Sequence, residues 1–344
     1  MTADPATLKA FAEQTLKESL GQMEPMPGGG SERQFFRLHR VHPPEGQKPS
    51  LVGVIGKKEG ENRAFLGFTR HFSEQGLPVP RVYAADEAQG IYLMEDLGGA
   101  TLAAQLAAWR KNPLGRVMAM AALTRVVAWL PRFQVHGGQG LDYNLCYEGE
   151  ELNSLVFEAD LERFLWVYIP RHAPDLKPDD RTLAEFDILV SRLETVPRDH
   201  FCYRDFQTRN IMWGEGPVFL DYQSGRRGAL QYDLASFLYS PDTGLGEPER
   251  VQLMDVYLRA LRDCGVTVDR IAFLAEFHLF VLVRRLQALG AYAHLGGKGG
   301  KPEYLRRIPP ALADLRQLQQ SGKLNLGLPL LEGWLRKLLA RPPA

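Results

Sequence analysis

At Gly98-Gly99 the spacing of apolar residues changes character, and this change limits the folds open to the chain. Before it, short alternating stretches dominate. Gln34 to Val41, Leu51 to Ile55, Arg81 to Ala85 and Ile91 to Glu95 read as strands, with a hairpin loop at His42 to Ser50 and a turn at Gly90. Two helices accompany them. Pro5 to Leu20 puts Leu8, Phe11, Ala12, Leu16 and Leu20 on one side, and Glu61 to Glu74 spaces Phe65, Phe68 and Phe72 three to four apart. From Thr101 onward nearly everything has helical period. Helices are predicted at Thr101 to Lys111, Leu114 to His136, Leu152 to Ile169 and Asp180 to Leu193. More follow at Tyr232 to Tyr239, Glu247 to Cys264, Val268 to Ala293 and Ile308 to Gln320. One strand pair, Ile211 to Trp213 and Val218 to Leu220, interrupts them around Gly214-Glu-Gly-Pro217. The expectation is an α+β chain of two lobes, a β-rich N-terminal lobe over residues 1–96 and an α-helical C-terminal lobe over 97–344. A length of 344 residues, long for a single core, agrees with two lobes.

Charge and cysteine usage narrow the partners. Lys+Arg and Asp+Glu are equal at 41 each, which argues against a dedicated nucleic-acid binder. Cys146, Cys202 and Cys264 are far apart and form no CxxC, so neither a zinc site nor a disulfide framework is expected. Met1 to Leu20 lacks the apolar core of a signal peptide. The most apolar run, Phe277 to Val283, is too short for a bilayer and is followed by Arg284-Arg285. A reducing cytoplasmic setting fits, with no membrane partner, and a monomer is the default.

The segment Phe201-Cys-Tyr-Arg-Asp-Phe-Gln-Thr-Arg-Asn210 carries the chemistry. Asp205 and Asn210 stand five apart, Asn210 leads into the strand pair, and Asp221 follows its second strand. Phosphoryl transfer needs such a set. One carboxylate orients or deprotonates the attacking hydroxyl, while an amide oxygen and a second carboxylate hold magnesium on the phosphates. Taken singly, the three residues also suit a loop Asp, an Asx-turn Asn and a capping Asp. The hairpin and the strand-rich lobe ahead of it make the combination specific.

These residues resemble the aminoglycoside phosphotransferase and choline kinase branch of the protein-kinase-like fold. Tyr203-Arg204-Asp205 through Asn210 is similar to its catalytic loop, with Tyr203 in place of the usual His, and Asp221-Tyr222-Gln223 stands where protein kinases have Asp-Phe-Gly. The resemblance implies Asp205 as catalytic base, with Arg204 beside it in the catalytic set, and Asn210 and Asp221 as magnesium ligands. It also implies that Asp233, in Gln-Tyr-Asp-Leu-Ala, braces the catalytic loop. ATP would lie in a cleft under Pro27-Gly-Gly-Gly-Ser31, where Gly28, Gly29 and Gly30 permit close backbone approach and Ser31 and Arg33 add side-chain contacts to phosphate. Tyr92 to Gly98 resembles the adenine hinge, with Met94 as gatekeeper and the backbone of Glu95 and Leu97 reading the base. A plain strand end leading to a linker is the other reading of that segment.

A kinase normally carries a lysine inside its third strand, paired with a helix glutamate. Here Leu51-Val-Gly-Val-Ile-Gly56 reaches Lys57 and Lys58 only at its end, and the glutamate is either Glu61 or Glu74. Solvated lysines and a phosphate ligand fit this pattern equally.

For the acceptor, Ser224-Gly-Arg-Arg-Gly228 joins Arg204 and Arg209 in basic surroundings that favour a neutral or anionic hydroxyl compound over a polycation. Pairing of these arginines with local carboxylates such as Asp233 is the alternative. Asp221 to Ala235, Arg285 to Ala293 and Gly300 to Leu305 resemble a bacterial subgroup of cell-wall sugar kinases, which phosphorylate the anomeric hydroxyl of N-acetylmuramate and N-acetylglucosamine in peptidoglycan recycling. The resemblance implies a small-molecule sugar acceptor. A kinase for an aminoglycoside or other small molecule, and a non-catalytic kinase-like scaffold, are the rival readings. Trp109, Trp129, Trp166 and Tyr168 are expected in the core and Trp213 under the hairpin. Tyr222 is the aromatic best placed to touch nucleotide or acceptor, while His136 and His278 read as structural.

Overall fold

The computed structural model describes residues 3–27, 32–46 and 48–341. The chain opens with α1 (Pro5–Leu16), β1 (Leu20–Met26), β2 (Gln34–Arg40), β3 (Ser50–Ile55), α2 (Glu59–Glu74), β4 (Val82–Asp86) and β5 (Ile91–Glu95). It continues through β6 (Ala100–Thr101), α3 (Leu102–Trp109), α4 (Gly115–Gln134), α5 (Ser154–Arg163), α6 (Ile169–His172) and α7 (Asp180–Glu194). Then come β7 (His200–Cys202), β8 (Ile211–Trp213), β9 (Pro217–Phe219), β10 (Arg226–Gly228), α8 (Leu230–Leu238), α9 (Glu247–Asp263), α10 (Arg270–Gly296), α11 (Ile308–Gln320) and α12 (Pro329–Leu339). No helix among the described residues is long and apolar enough to cross a membrane.

One compact unit gathers Met1–Ala119, His136–Glu150 and Thr208–Arg226. Its antiparallel sheet has the order β1-β2-β3-β5-β4, which puts β3 at the centre. Side chains alternate along a strand, so β3 faces two ways. Leu51 and Ile55 join Leu8, Ala12, Leu38 and Leu93 in a core under α1. A Cβ on Gly53 would stand 2.8 Å from Leu8 Cδ2, so α1 lies directly on the strand. On the other face Val54 stands opposite Tyr92, whose ring stacks on Phe65 of α2 with centroids 5.2 Å apart. Phe65, Phe68 and Phe72 of α2 are buried, each contributing about 1.5–3 kcal/mol of transfer free energy.

The first helix stops short of its expected end. The Asp4 side chain caps its start by accepting the Thr7 N–H at 2.8 Å, and Lys17 turns left-handed with φ 53 after Leu16. Leu20 therefore opens β1, a strand absent from the sequence reading. Gly21 and Pro25 obscure its alternation. Its place at the sheet edge tolerates a proline, which cannot donate to a ladder.

The other unit gathers Met120–Val135, Glu151–Gln207 and Arg227–Ala344, and is mostly helical. Phe273, Phe277, Phe280, Leu286 and Leu289 of α10 are buried where it packs on α5, α8 and α11. The helix expected over Leu152 to Ile169 contains a π turn at Phe164–Tyr168. A Cβ on Gly290 of α10 would come within 2.8 Å of the Phe164 nitrogen, so the two helices meet backbone to backbone there. Phe164, Leu165 and Tyr168 are buried in helical register with Phe157 and Leu161, and Trp166 on the opposite side is 65% exposed. This corrects the expected core position of Trp166. The helix α12 was not expected, although Leu331, Trp334, Leu335 and Leu338 carry its period and are buried. Cys146, Cys202 and Cys264 are not joined by disulfides.

Candidate active site

Within the helical unit, β7 delivers the chain into Tyr203-Arg204-Asp205. Tyr203 is fully buried, edge-on to Phe133 at 5.7 Å and to Phe206 at 5.4 Å. It anchors the loop by packing. Arg204 takes φ 72, a left-handed conformation that a non-glycine residue holds only when its surroundings impose it. Asp233 of α8 imposes it. Asp233 Oδ2 accepts the Tyr203 N–H at 2.7 Å, and Oδ1 accepts the Arg204 N–H at 2.8 Å and the Cys202 thiol at 3.6 Å. Behind it, Gln134 donates to Asp233 Oδ2 at 3.4 Å and to Leu230 O at 3.1 Å, and accepts the Tyr257 hydroxyl at 2.6 Å. The bracing expected of Asp233 is present in full. Burial raises its carboxyl to about 6, against the pull of the two backbone donors.

Asp205 follows with its own N–H on Tyr203 O at 2.9 Å and its Oδ1 accepting the Gln207 amide at 3.3 Å. Burial opposes the Arg204 charge, but Tyr232, Asp205 and Asp160 hold its pKa above the ordinary arginine value. Arg204 Nη1 is buried without a hydrogen-bond partner among the described residues. Asp160 is pushed up by burial, in spite of Arg284 and Arg204 nearby.

Within the sheet-bearing unit, β8 and β9 pair as the expected hairpin, with Ile211 opposite Phe219. Asn210 O accepts the Leu220 N–H at 2.9 Å, which fixes Asn210 beside the chain one residue before Asp221. Asp221 then turns left-handed, φ 69, with its side chain 39% exposed. Asp221 Oδ1 accepts from Gln223 at 2.8 Å and from Arg33 Nη2 at 3.1 Å. Two hard oxygen donors at one hairpin end suit magnesium, which takes one or two protein oxygens and completes its shell with phosphate and water. Among the described residues no cluster of three or more His, Cys, Asp or Glu side chains can hold a metal ion.

Arg33 ties this hairpin to α2. Its Nε stands 3.1 Å from Glu61 Oε1, both side chains being 6% exposed, and its guanidinium lies 5.8 Å from the Phe35 and Phe65 ring centres. Of the two candidate helix glutamates, Glu61, one turn before Phe65 on the inward face, carries this ion pair, and its partner is Arg33 and neither Lys57 nor Lys58. Gln223 also reaches Glu61, at 3.4 Å. Tyr222 is fully buried and stacks on Phe65 at 5.5 Å, with its hydroxyl 2.5 Å from Thr69 Oγ1. This corrects the expectation that Tyr222 touches a ligand, because its ring fastens Asp221 to α2. Lys58 pairs with Glu32 at 3.7 Å among exposed side chains, and Lys57 is exposed. Arg226 is buried and donates to Glu148 Oε2 at 2.6 Å and Glu148 O at 2.9 Å. Of the two readings of the arginine cluster, local pairing holds for Arg226, with Glu148 and not Asp233 as partner.

Of the expected nucleotide contacts, Gly28, Gly29, Gly30 and Ser31 lie outside the described residues. Met94 is buried on β5 opposite Val52, and the Glu95 N–H bonds Arg81 O at 2.8 Å. Asp96, which the sequence reading passed over, organises the segment. Its carboxylate accepts from Arg37 Nε at 2.6 Å, from Ser50 at 2.7 Å and from the Gly98 N–H at 2.9 Å. Burial works against its charge, and these donors hold the carboxyl below its usual range. After Leu97, Gly98 and Gly99 turn left-handed and β6 pairs with β8, Ala100 opposite Trp213, so the segment runs onto the hairpin. Trp213 packs edge-on against Trp109 at 6.1 Å.

The chain is 26% identical to an N-acetylmuramate/N-acetylglucosamine kinase of Caulobacter vibrioides over 87% of its own length and 90% of that protein's. It is also 26% identical to a protein of the same name from Pseudomonas aeruginosa, over 90% and 89%. Among solved structures, a choline kinase from Cryptosporidium parvum superposes with a TM-score of 0.66 at 15% identity, covering 97% of this chain and 100% of the other. The ADP-bound aminoglycoside phosphotransferase APH(2'')-Ib does so with 0.52 at 12% identity, covering 83% and 99%. At those identities the structures share the protein-kinase-like fold. The model of the phosphotransferase enzyme family, APH, matches residues 25–274, a span that holds Asp205, Asn210, Asp221 and Asp233 alike, and the chain belongs to that family.

Proposed function

We propose that this phosphotransferase moves the γ-phosphate of ATP, with magnesium, onto the anomeric hydroxyl of N-acetylmuramate or N-acetylglucosamine. The geometry behind the reading is the Leu220 N–H bond to Asn210 O, which sets a side-chain amide and the Asp221 carboxylate at one hairpin end. The acceptor rests on the two curated relatives matched over about nine-tenths of the chain.

In this reading Asp205 accepts the hydroxyl proton as the sugar oxygen bonds to phosphorus. The bond from phosphorus to the bridging oxygen breaks and ADP leaves. Asn210 and Asp221 would hold magnesium, which would supply positive charge against the phosphates. The Glu95 and Leu97 backbone reads the base beside Met94. Because Arg226 is committed to Glu148, acceptor selection falls to other groups, among them Arg204 beside the base.

The test is nucleotide turnover with MgATP across N-acetylmuramate, N-acetylglucosamine, neutral sugars, aminoglycosides and choline, with the product examined for an acid-labile anomeric phosphate. Turnover confined to an aminoglycoside or choline would replace the sugar reading. MgATP binding without turnover on the two N-acetyl sugars would refute that acceptor class.

A further inference from the structure

The missing strand lysine points to a replacement. Transferring enzymes of this fold need a cation on the nucleotide phosphates, normally a lysine projecting from the third strand and paired with a helix glutamate. In this chain β3 has no room for one. Leu51, Val52, Val54 and Ile55 are all buried, and the face toward α2 is filled by Val52 and Val54. Lys57 and Lys58 lie beyond the strand end among exposed side chains. The buried Glu61 carboxylate on α2 still has a cationic partner, and it arrives from elsewhere: Arg33, at the entry to β2. The same guanidinium reaches Asp221, 3.1 Å away. Its guanidinium carbon lies 5.8 Å from the ring centres of both Phe35 and Phe65, and Tyr92 Oη lies 3.5 Å from Nη1.

We propose that Arg33 binds the nucleotide phosphates in place of the strand lysine, with Glu61 as its anchor and Asp221 as its neighbour at the metal. The assignment rests on the reading of the protein as a nucleotide-dependent phosphotransferase and adds the phosphate-binding cation to it. Its reasoning is geometric. Arg33 stands 3.1 Å from Asp221, and if that carboxylate holds the metal, the guanidinium is within reach of the phosphates the metal would bind. An arginine also suits this position chemically. Its planar fork can bind a carboxylate and a phosphate oxygen together, which a lysine point charge does less well.

The experiment measures binding of adenosine and of MgADP to the full chain by calorimetry, so no acceptor is needed. Arg33→Ala is expected to weaken MgADP by about 10- to 100-fold while adenosine changes by less than about 2-fold, since a charge-assisted contact is lost only where phosphate is present. Arg33→Lys is expected to recover part of the loss. Lys57→Ala and Lys58→Ala are expected to bind MgADP like the wild type. Because Arg33→Ala strands Glu61, the pair Arg33→Gln with Glu61→Gln is measured alongside and is expected to show the same loss of MgADP alone. Equal MgADP binding in the Arg33 variants would overturn the proposal. So would loss of adenosine and MgADP by one common factor, or transfer of the defect to Lys57→Ala or Lys58→Ala. A wild type that binds no MgADP would instead overturn the nucleotide reading itself, and the proposal with it.

Discussion

Asp233 Oδ2 stands 2.7 Å from the Tyr203 nitrogen and takes its hydrogen bond, so a side chain on α8 sets the backbone two residues before Asp205. The neighbouring Arg204 N–H goes to the other oxygen. One carboxylate thus satisfies two buried donors that a left-handed turn would otherwise strand. Asp233→Asn replaces one acceptor oxygen with an amide that confronts an N–H. The expected outcome is a loss of about 1–3 kcal/mol in stability. With Asp205 as the proposed base, turnover should fall by about 100-fold with KM for ATP little changed, because its displacement would impair the chemical step. Steady-state kinetics beside urea denaturation would check this. A variant with wild-type turnover would remove Asp233 from any positioning role.

The same carboxyl makes stability depend on pH in an unusual direction. Burial lifts its pKa from 3.8 to about 6, so the folded protein holds a proton that the unfolded chain releases. The contribution is therefore fully present below the unfolded value and is lost as pH rises through about 6. The loss amounts to about 3 kcal/mol, from the size of the shift. Denaturation of wild type and Asp233→Asn between pH 3 and 8 isolates the group. The advantage of the wild type should be largest in acid and shrink toward neutrality. An advantage that grows with pH would contradict the burial account.

The strands β2 to β5 and the α2 face were legible because apolar period and helix spacing report directly on which side is buried. The chain signals Asp205, Asn210 and Asp221 by spacing alone, and Asp233 through its family motif. Arg33 was expected as a phosphate contact, and its pairing with Glu61 was not legible. Its two carboxylate partners lie 28 and 188 residues away, and no local pattern encodes such a meeting. Trp166 misled for a different reason. Phe157, Leu161, Phe164, Leu165 and Tyr168 keep the buried face at helical spacing, and Trp166 falls opposite it, so its size and not its position suggested the core.

Asp205 and the hairpin residues should separate kinetically. If Asp205 takes the acceptor proton, Asp205→Ala lowers turnover by at least about 100-fold, the range of general-base catalysis, and leaves MgATP affinity within about 2-fold. If Asp221 binds magnesium as proposed, Asp221→Asn should instead weaken MgATP and steepen its dependence on magnesium concentration. Binding isotherms at two magnesium concentrations distinguish the two residues. Loss of nucleotide affinity in Asp205→Ala, with turnover per bound complex unchanged, would reverse the assignment.

Tyr222 offers a check on the reassignment from ligand contact to fastening. The Thr69 hydroxyl donates to Phe65 O at 2.6 Å, which leaves its lone pairs to accept the Tyr222 hydroxyl proton. Tyr222→Phe keeps the stacked ring and removes one buried hydrogen bond, so it should cost about 1 kcal/mol and leave KM for ATP and for the acceptor unchanged. Tyr222→Ala removes the ring as well and should cost about 3–5 kcal/mol, with turnover lost as Asp221 loses its tie to α2. Thermal denaturation together with kinetics on both variants reads the difference. A Tyr222→Phe protein as stable as wild type but with a raised KM would return this residue to the ligand.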